Sequence, residues 1–199
     1  MRLLLRYVRI VDAFTDYLGA ISMYLVILTV FIGFANVVLR YVGQLIGQRL
    51  TSNLFIELQW YLYSLIFFFG FAYILKHGIN VRVDFWFAEQ KPKVKAWIDL
   101  VGHLLALVPF CIIGLWVTYQ PVLTSWGLRP NGTWGTWELS PDPNGLPRAP
   151  IKTMIIIAFV TLLLQAIAEL IKLIAIIRDQ QDLVRDVLAQ DAEAPLRIE

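Results

Sequence analysis

Two histidines are the side chains in this sequence best suited to hold a cofactor. His77 and His103 lie near the ends of two apolar segments, and small four-helix membrane proteins can hold a haem between two such histidines. By helical rise, His103 would lie roughly 6–8 Å deeper than His77, which favours two ordinary interfacial histidines. A haem-binding electron-transfer subunit is therefore the alternative function, and we expect no cofactor.

The other reactive residue types do not form a catalytic pattern. The single cysteine, Cys111, lies in an apolar run; it excludes an internal disulfide and a CxxC redox site, and it indicates a small buried side chain. The loop from residue 120 to 150 contains no metal-ligand spacing and no nucleophile–base pair. A net charge of +2 is too small to indicate a nucleic-acid partner. We therefore expect neither an enzyme nor a nucleic-acid-binding protein.

Polar side chains cluster instead near the ends of the apolar segments, where an ionisable group needs a partner or water. Asn36 and Arg40 are four residues apart, so they share one helix face. Glu57 and Gln59 begin the next apolar segment. We predict an ion pair between Arg40 and Glu57 across this hairpin. The alternative is that both side chains reach the lipid headgroups independently.

A second polar group lies at the opposite ends of the segments. Three charged residues follow the second segment: Lys76, Arg82 and Asp84. A similar ion pair among them is predicted to close that turn. In the last segment, Gln165, Glu169 and Lys172 lie on one side of a helix near its inner boundary, and Glu169 and Lys172 are spaced to pair with each other.

The composition indicates which elements must position these residues. The chain of 199 residues is 58% hydrophobic and 16% charged, with a mean hydropathy of +0.65, whereas a soluble domain is about 45–50% apolar. Four apolar stretches are long enough to cross a bilayer as helices, at residues 18–41, 54–76, 98–120 and 151–177. We therefore predict an all-α integral membrane protein with four transmembrane helices. Because the span centres are apolar, we also predict that the chain does not itself carry a polar solute.

The distribution of positive charge predicts the orientation. Of the 17 lysines and arginines, twelve fall on one side of the four spans, which places both termini in the cytoplasm. Residues 1–17 repeat charged and apolar positions at helical spacing and predict an amphipathic helix on the inner leaflet. Residues 85–97 combine aromatic residues with three lysines and predict a second interfacial helix. Residues 120–150 would form a long outer loop, and residues 178–199 a cytoplasmic tail.

Three motifs along the chain resemble the small membrane subunit (DctQ type) of tripartite ATP-independent periplasmic (TRAP) transporters. They are NVVLRYV at 36–42, IELQWYLYSLIFFFGFAYILKHGINVRVD at 56–84, and GLPRAPIK at 145–152 followed by Gln165. The sequence departs from the family in the insertion GQRLTSN before the second span and in the long tryptophan-rich loop. The loop is most similar to that of members that serve organic acids.

The resemblance implies one part of a three-part importer in the bacterial inner membrane. A periplasmic binding protein would capture an organic acid anion, and a large membrane subunit (DctM type) would move it by an elevator-type motion coupled to sodium. The small subunit would pack against the fixed scaffold of the large subunit and help the binding protein to dock. Membrane lipids would surround it.

The resemblance also implies roles for individual residues. Five are expected to organise the outer half of the subunit and its contact with the large subunit: Asn36, Arg40, Glu57, Gln59 and Trp60. Three are expected to fix the inner turn: Lys76, Arg82 and Asp84. Arg148 and Lys152 would help to dock the binding protein on the periplasmic loop, and Gln165 completes the signature of the fourth span.

Overall fold

The chain is helical throughout most of its length. A computed structural model describes residues 2–79, 87 and 89–178. Its helices are α1 (Arg2–Ile46), α2 (Asn53–Lys76), α3 (Pro92–Gly102), α4 (Val108–Ser125) and α5 (Arg148–Ile177), with a π-helical turn, His103–Leu107, between α3 and α4. Four helical stretches are long and apolar enough to cross a membrane, counting Pro92–Ser125 as one. The predicted all-α fold with four spans is confirmed, and the cytoplasmic position of the termini stays a prediction.

The predicted N-terminal segment and the predicted first span lie in one helix. Helix α1 runs for 45 residues without a break, so the predicted N-terminal amphipathic helix is the first part of the first span's helix. At 1.5 Å per residue α1 is about 67 Å long, more than twice the hydrocarbon thickness of a bilayer. The position of residues 1–17 on the inner leaflet stays a prediction. The buried side chains of this segment face other helices, as described below.

Helix α1 ends in a Schellman motif. Gly47 adopts a left-handed conformation with φ of 70°, and its N–H donates to the carbonyl of Gln44 at 3.4 Å. The N–H of Gln48 donates to the carbonyl of Gly43 at 2.9 Å. These two bonds satisfy carbonyl groups that a helix end leaves without partners, so the insertion before the second span provides a defined helix stop.

The third span also begins earlier than predicted, at Pro92 rather than residue 98, and it continues to Ser125. Pro92 occupies the start of α3, where the missing proline N–H is not needed. The π-helical turn directly precedes Val108 and Pro109. Because proline cannot donate to the carbonyl four residues earlier, the ladder widens here, and the N–H of Val108 donates to the carbonyl of His103.

The chain divides into two compact units, each assembled from separate pieces of the helices. Unit 1 contains residues 1–17, 71–114 and 159–199, and unit 2 contains residues 18–70 and 115–158. In unit 1, Val8 and Val11 of α1 pack against Ala168 and Ala175 of α5. Alanines seven residues apart on one face let the two backbones approach closely, as small residues do between membrane helices.

Unit 2 contains the connection between α4 and α5, residues 126–147, which is shorter than the predicted loop. It is held by isolated β-bridges between Leu128 and Trp134 and between Leu139 and Pro147. The rings of Trp126 and Trp137 lie 5.8 Å apart. This connection is therefore ordered by its own contacts, and it also bonds to the helices of unit 2.

Candidate functional site

A buried polar network joins α1 to α5 in unit 1. Gln165 is fully buried; its Nε2 donates to Asp12 Oδ1 and to Glu169 Oε1, both at 2.9 Å. Thr15 donates its hydroxyl to Gln165 Oε1 at 2.7 Å. Lys172 Nζ lies 2.9 Å from Asp12 Oδ2 and 3.0 Å from Glu169 Oε1. The predicted pair between Glu169 and Lys172 is confirmed, and it belongs to a larger network.

Helical spacing explains how this network forms. Asp12 and Thr15 are three residues apart on α1, while Gln165, Glu169 and Lys172 follow one another at intervals of four and three on α5. Each set therefore lies along one helix face. Buried charges need partners and further hydrogen bonds, and here Gln165 and Lys172 bridge both carboxylates. The arrangement links helices and leaves no carboxylate of the network without a donor.

A second cluster joins α1 to the end of α2. Lys76 Nζ lies 2.6 Å from Asp16 Oδ2 and also donates to the backbone carbonyl of Asp12. His77 Nε2 lies 3.1 Å from Asp16 Oδ1. The structure therefore gives Lys76 a partner on α1. The predicted roles of Arg82 and Asp84 lie outside the described residues and stay predictions.

The two histidines considered as haem ligands have other contacts. His77 Nε2 faces the Asp16 carboxylate, and His103 Nδ1 lies 2.6 Å from the backbone carbonyl of Asp99. Either histidine would have to give up such a contact or use its other ring nitrogen to bind iron. Among the described residues, no group of three or more histidine, cysteine, aspartate or glutamate side chains could hold a metal ion. Cys111 is buried, as predicted.

In unit 2, Glu57 fastens α2 to the α4–α5 connection. Its carboxylate accepts hydrogen bonds from the Ser140 hydroxyl and from the backbone N–H of Leu146. The predicted ion pair between Arg40 and Glu57 is wrong, because Glu57 is occupied by these donors and Arg40 is exposed. Nearby, Tyr61 donates its hydroxyl to the carbonyl of Pro147 at 2.6 Å.

Glu138 fastens the same connection to α4 and α5. Its carboxylate accepts from the Ser125 hydroxyl at 2.6 Å and forms an ion pair with Lys152. Both hydrogen bonds lower the pKa of Glu138 below its ordinary value, and the bond from Lys152 has the larger effect. The carbonyl of Glu138 accepts from the Arg148 N–H at 2.9 Å, and Trp126 donates to the Thr153 hydroxyl at 2.8 Å. The connection is thus bonded to three helices, α2, α4 and α5.

Beside these bonds lies an apolar cleft of about 320 Å³ within unit 2. Its lining residues come from α2 and α5: Trp60, Ser64, Phe68, Arg148, Ile151, Lys152 and Ile155. The cleft volume lies at the lower end of the range for ligand pockets and can admit a large apolar side chain. The buried Nε of Arg148 has no hydrogen-bond partner within the described part of the chain.

The structure places the remaining predicted residues inside unit 2. Asn36 is buried, and its Oδ1 has no hydrogen-bond partner among the residues that the structure describes. The amide of Gln59 lies near Gly33 of α1, at 3.8 Å from the position that a β-carbon there would take. Asn36 is thus buried and the Gln59 amide approaches α1, whereas Trp60 is partly exposed in the cleft; the organising roles of these residues stay predictions.

Sequence reasoning missed about half of the polar residues that these networks use. Asp12 was expected on the charged face of an interfacial helix, yet both Asp12 and its neighbour Thr15 are buried and bond to α5. Glu138 and Ser140 lie in a connection without a recognisable motif. The three-residue spacing of Asp12 and Thr15 places both on one helix face and could have indicated a shared partner. It could not identify that partner, because Gln165 is 150 residues or more away in sequence.

A family comparison covers most of the chain. Residues 29–176 match the family described as "Tripartite ATP-independent periplasmic transporters, DctQ component". The matched range includes the Glu57 and Glu138 bonds, the apolar cleft and three residues of the unit 1 network. No curated protein sequence and no solved structure matches the chain.

Proposed function

The chain belongs to the DctQ family of TRAP transporter components, and we propose that it is the small permease subunit that scaffolds the large transport subunit. Members of this family are transporter components rather than enzymes, and they work with a DctM subunit and a substrate-binding protein. Together with its four spans, this membership makes the chain a multi-pass membrane protein. The match over residues 29–176 is the observation that carries the proposal.

The use of polar groups supports a scaffold rather than a carrier. Hydrogen bonds and ion pairs join the polar residues of unit 1 to one another: Asp12, Gln165, Glu169 and Lys172. Glu57 accepts hydrogen bonds from the α4–α5 connection. A carrier needs polar groups that can bind and release its solute near the middle of the membrane. These groups instead join helices, so they suit a part that keeps its shape while a neighbouring subunit moves.

The apolar cleft of unit 2 supplies a contact for the large subunit. We propose that Trp60, Phe68 and Ile155 receive a large apolar side chain from it, because such a side chain fills a cleft of about 320 Å³. Buried aromatic contacts of this kind dominate the energy of many interfaces. Since hydrogen bonds between membrane helices contribute only about 0.6 kcal/mol on average, apolar contact must supply most of the adhesion.

The α4–α5 connection is the proposed docking platform for the periplasmic binding protein. Its bonds to α2, α4 and α5 hold it in one conformation, which reduces the entropy lost on binding. Lys152 is paired with Glu138, so the exposed Arg129 and Trp134 are better placed than Lys152 to meet a partner. The complete transporter would import an organic acid anion together with sodium across the bacterial inner membrane.

Co-purification with the large subunit tests this proposal. Ser64→Phe fills the cleft, and we expect it to reduce the yield of large subunit captured by the tagged chain to below about one third, since losing one well-packed contact costs about 1 kcal/mol or more. Ile113→Phe is the matched control, because Ile113 is an exposed residue of α4 that does not line the cleft.

The outcomes separate the cleft from the function as a whole. Equal capture by Ser64→Phe and the unchanged chain would remove the cleft from the interface. Failure of the unchanged chain to capture any large membrane subunit would contradict the scaffold function itself.

A further inference from the structure

The turn between α1 and α2 forms a polar pocket that the proposed function does not use. The pocket has a volume of about 340 Å³ and lies entirely within unit 2. It is lined by the last turns of α1 and by the returning chain: Arg40, Gly43, Gln44, Gly47, Gln48, Arg49, Leu50 and Thr51. The Schellman motif at Gly47 folds the chain back, and thus it brings Arg49 to the same pocket as Arg40.

The charge of this pocket is positive and uncompensated. Neither Arg40 nor Arg49 forms an ion pair within the described part of the chain, and both side chains are exposed. Residues 17–56 contain no acidic residue, and their only charged residues are these two arginines. The C-terminus of α1 contributes about half a negative charge, which two guanidinium groups outweigh. The pocket is therefore suited to an anion.

An apolar surface adjoins the pocket on α1. Val42, Leu45 and Ile46 lie within the last two turns of the helix and are exposed; Leu45 is 85% exposed. Leu50, which lines the pocket itself, is also exposed. The same helix end thus offers two guanidinium groups beside uncovered aliphatic side chains, and it lies at the predicted end of the first span.

We propose that this pocket binds the phosphate of an anionic phospholipid. The planar guanidinium groups of Arg40 and Arg49 can each donate two parallel hydrogen bonds to phosphate oxygens. Gln44 and Thr51 offer neutral donors and acceptors for the glycerol and headgroup hydroxyls. The acyl chains lie along Val42 and Leu45. This assignment gives Arg40 a lipid ligand in place of the predicted ion pair with Glu57.

A phospholipid suits these observations better than a carboxylate of a protein partner or a free phosphate ion. Either of those anions would satisfy the arginines but would leave Leu45 and Ile46 uncovered. A phospholipid covers both surfaces with one molecule, since its phosphate and its hydrocarbon chains are held next to each other. Such uncovered aliphatic side chains beside a basic group are typical of a lipid-facing membrane interface.

Lipid binding to the purified full-length chain tests the proposal. In detergent micelles of a neutral detergent, phosphatidylglycerol is titrated and the lipid-bound fraction is measured by native mass spectrometry. Phosphatidylcholine and inorganic phosphate are titrated in parallel. We expect one saturable phosphatidylglycerol site, and we expect Arg40→Gln and Arg49→Gln each to weaken it roughly five- to tenfold.

Arg178→Gln is the matched control, because it removes the same charge from an exposed arginine outside the pocket. We expect it to retain the affinity of the unchanged chain. Gln48→Glu gives a second test at an exposed pocket position and does not remove an arginine. It should weaken phosphatidylglycerol binding by repulsion, while circular dichroism shows the helix content of the unchanged chain.

Three results would overturn the proposal. Equal affinity for phosphatidylcholine and phosphatidylglycerol would show that charge does not select the ligand. An equal loss in Arg178→Gln would show general attraction to a basic protein. Full displacement of the lipid by inorganic phosphate would assign the pocket to another anion.

Discussion

Replacing Lys172 by methionine is the most direct perturbation of the network that joins α1 to α5. Lys172 is 2% exposed, and its two carboxylate partners, Asp12 and Glu169, are 8% and 17% exposed at their side chains. Methionine fills a similar volume and removes only the charge and the donors. The two carboxylates then remain buried on either side of Gln165 without their lysine partner.

The expected loss follows from leaving a buried charge without its partner, which costs about 3–5 kcal/mol. Thermal midpoints of domains of this size fall by about 2–4 °C for each kcal/mol. Lys172→Met should therefore lower the midpoint by about 6–20 °C. Lys152→Met is the matched control, because Lys152 forms an ion pair with Glu138 in which the side chains are 36% and 35% exposed. Such an exposed pair contributes about 0–1 kcal/mol, so its midpoint should fall by no more than about 4 °C.

A third variant separates lost charge compensation from lost packing. Adding Asp12→Asn and Glu169→Gln to Lys172→Met removes both buried negative charges and keeps the side-chain volumes nearly constant. Replacing a whole buried ionic group by uncharged residues is often neutral in stability. We expect the triple variant to recover most of the midpoint lost by Lys172→Met.

Thermal unfolding of the purified chain, followed by tryptophan fluorescence in one detergent, measures all three variants. Equal midpoints for Lys172→Met and Lys152→Met would refute the reasoning, since burial would then make no difference. A triple variant as unstable as Lys172→Met would show that the loss came from packing rather than from uncompensated charge.

Three further predictions concern single contacts. Gly114→Ala should lower the thermal midpoint, because its new β-carbon would lie 2.4 Å from Phe159 Cε1, whereas Gly70→Ala, with no neighbour within 4 Å, should not. Glu138 has a lowered pKa, so docking of the α4–α5 connection is stabilised above the ordinary glutamate pKa of 4.5 and weakens as pH falls below it. Tryptophan fluorescence should report this change, and Glu138→Gln should remove it. Tyr61→Phe deletes a hydrogen bond to Pro147 worth about 1 kcal/mol, and should speed proteolysis of the connection about fivefold.

Each of these predictions has a result that would contradict it. A Gly114→Ala midpoint equal to or above that of Gly70→Ala would show that the Phe159 ring moves aside without cost. An acid transition that persists in Glu138→Gln would assign the pH dependence to another group. Tyr63→Phe is the control for Tyr61→Phe, because Tyr63 is exposed, and equal proteolysis of the two variants would contradict the role of the hydroxyl.

The lengths of the apolar stretches predicted the four spans. About 20 apolar residues are needed to cross the hydrocarbon as a helix, and only a helix or a closed barrel satisfies the backbone hydrogen bonds there. The second span was predicted at residues 54–76 and observed at Asn53–Lys76. The helix that contains the predicted first span begins earlier than that span, at Arg2, although the charged residues near its start suggested a separate helix. In the structure, Asp12 and Asp16 face partners on α5 and α2, so charge there does not mark the end of the helix.

Local spacing predicted local pairs, and it failed for distant ones. Glu169 and Lys172 are three residues apart and do pair. Glu57 was assigned to Arg40 because the two flank one hairpin, but its actual donors, Ser140 and Leu146, are more than 80 residues away. Residue spacing does not predict which hydrogen-bond donors of the glycine- and proline-rich connection reach Glu57. Those donors are determined by how the connection packs against the helices.

Uptake by proteoliposomes shows whether this chain supports transport without conducting the solute. Vesicles are prepared with this chain alone, with the large subunit alone, and with both subunits plus the binding protein, and accumulation of a labelled organic acid is measured with and without a sodium gradient. We expect sodium-dependent accumulation only for the complete set, and none above empty vesicles for this chain alone. Solute accumulation in vesicles that contain only this chain would contradict this expectation.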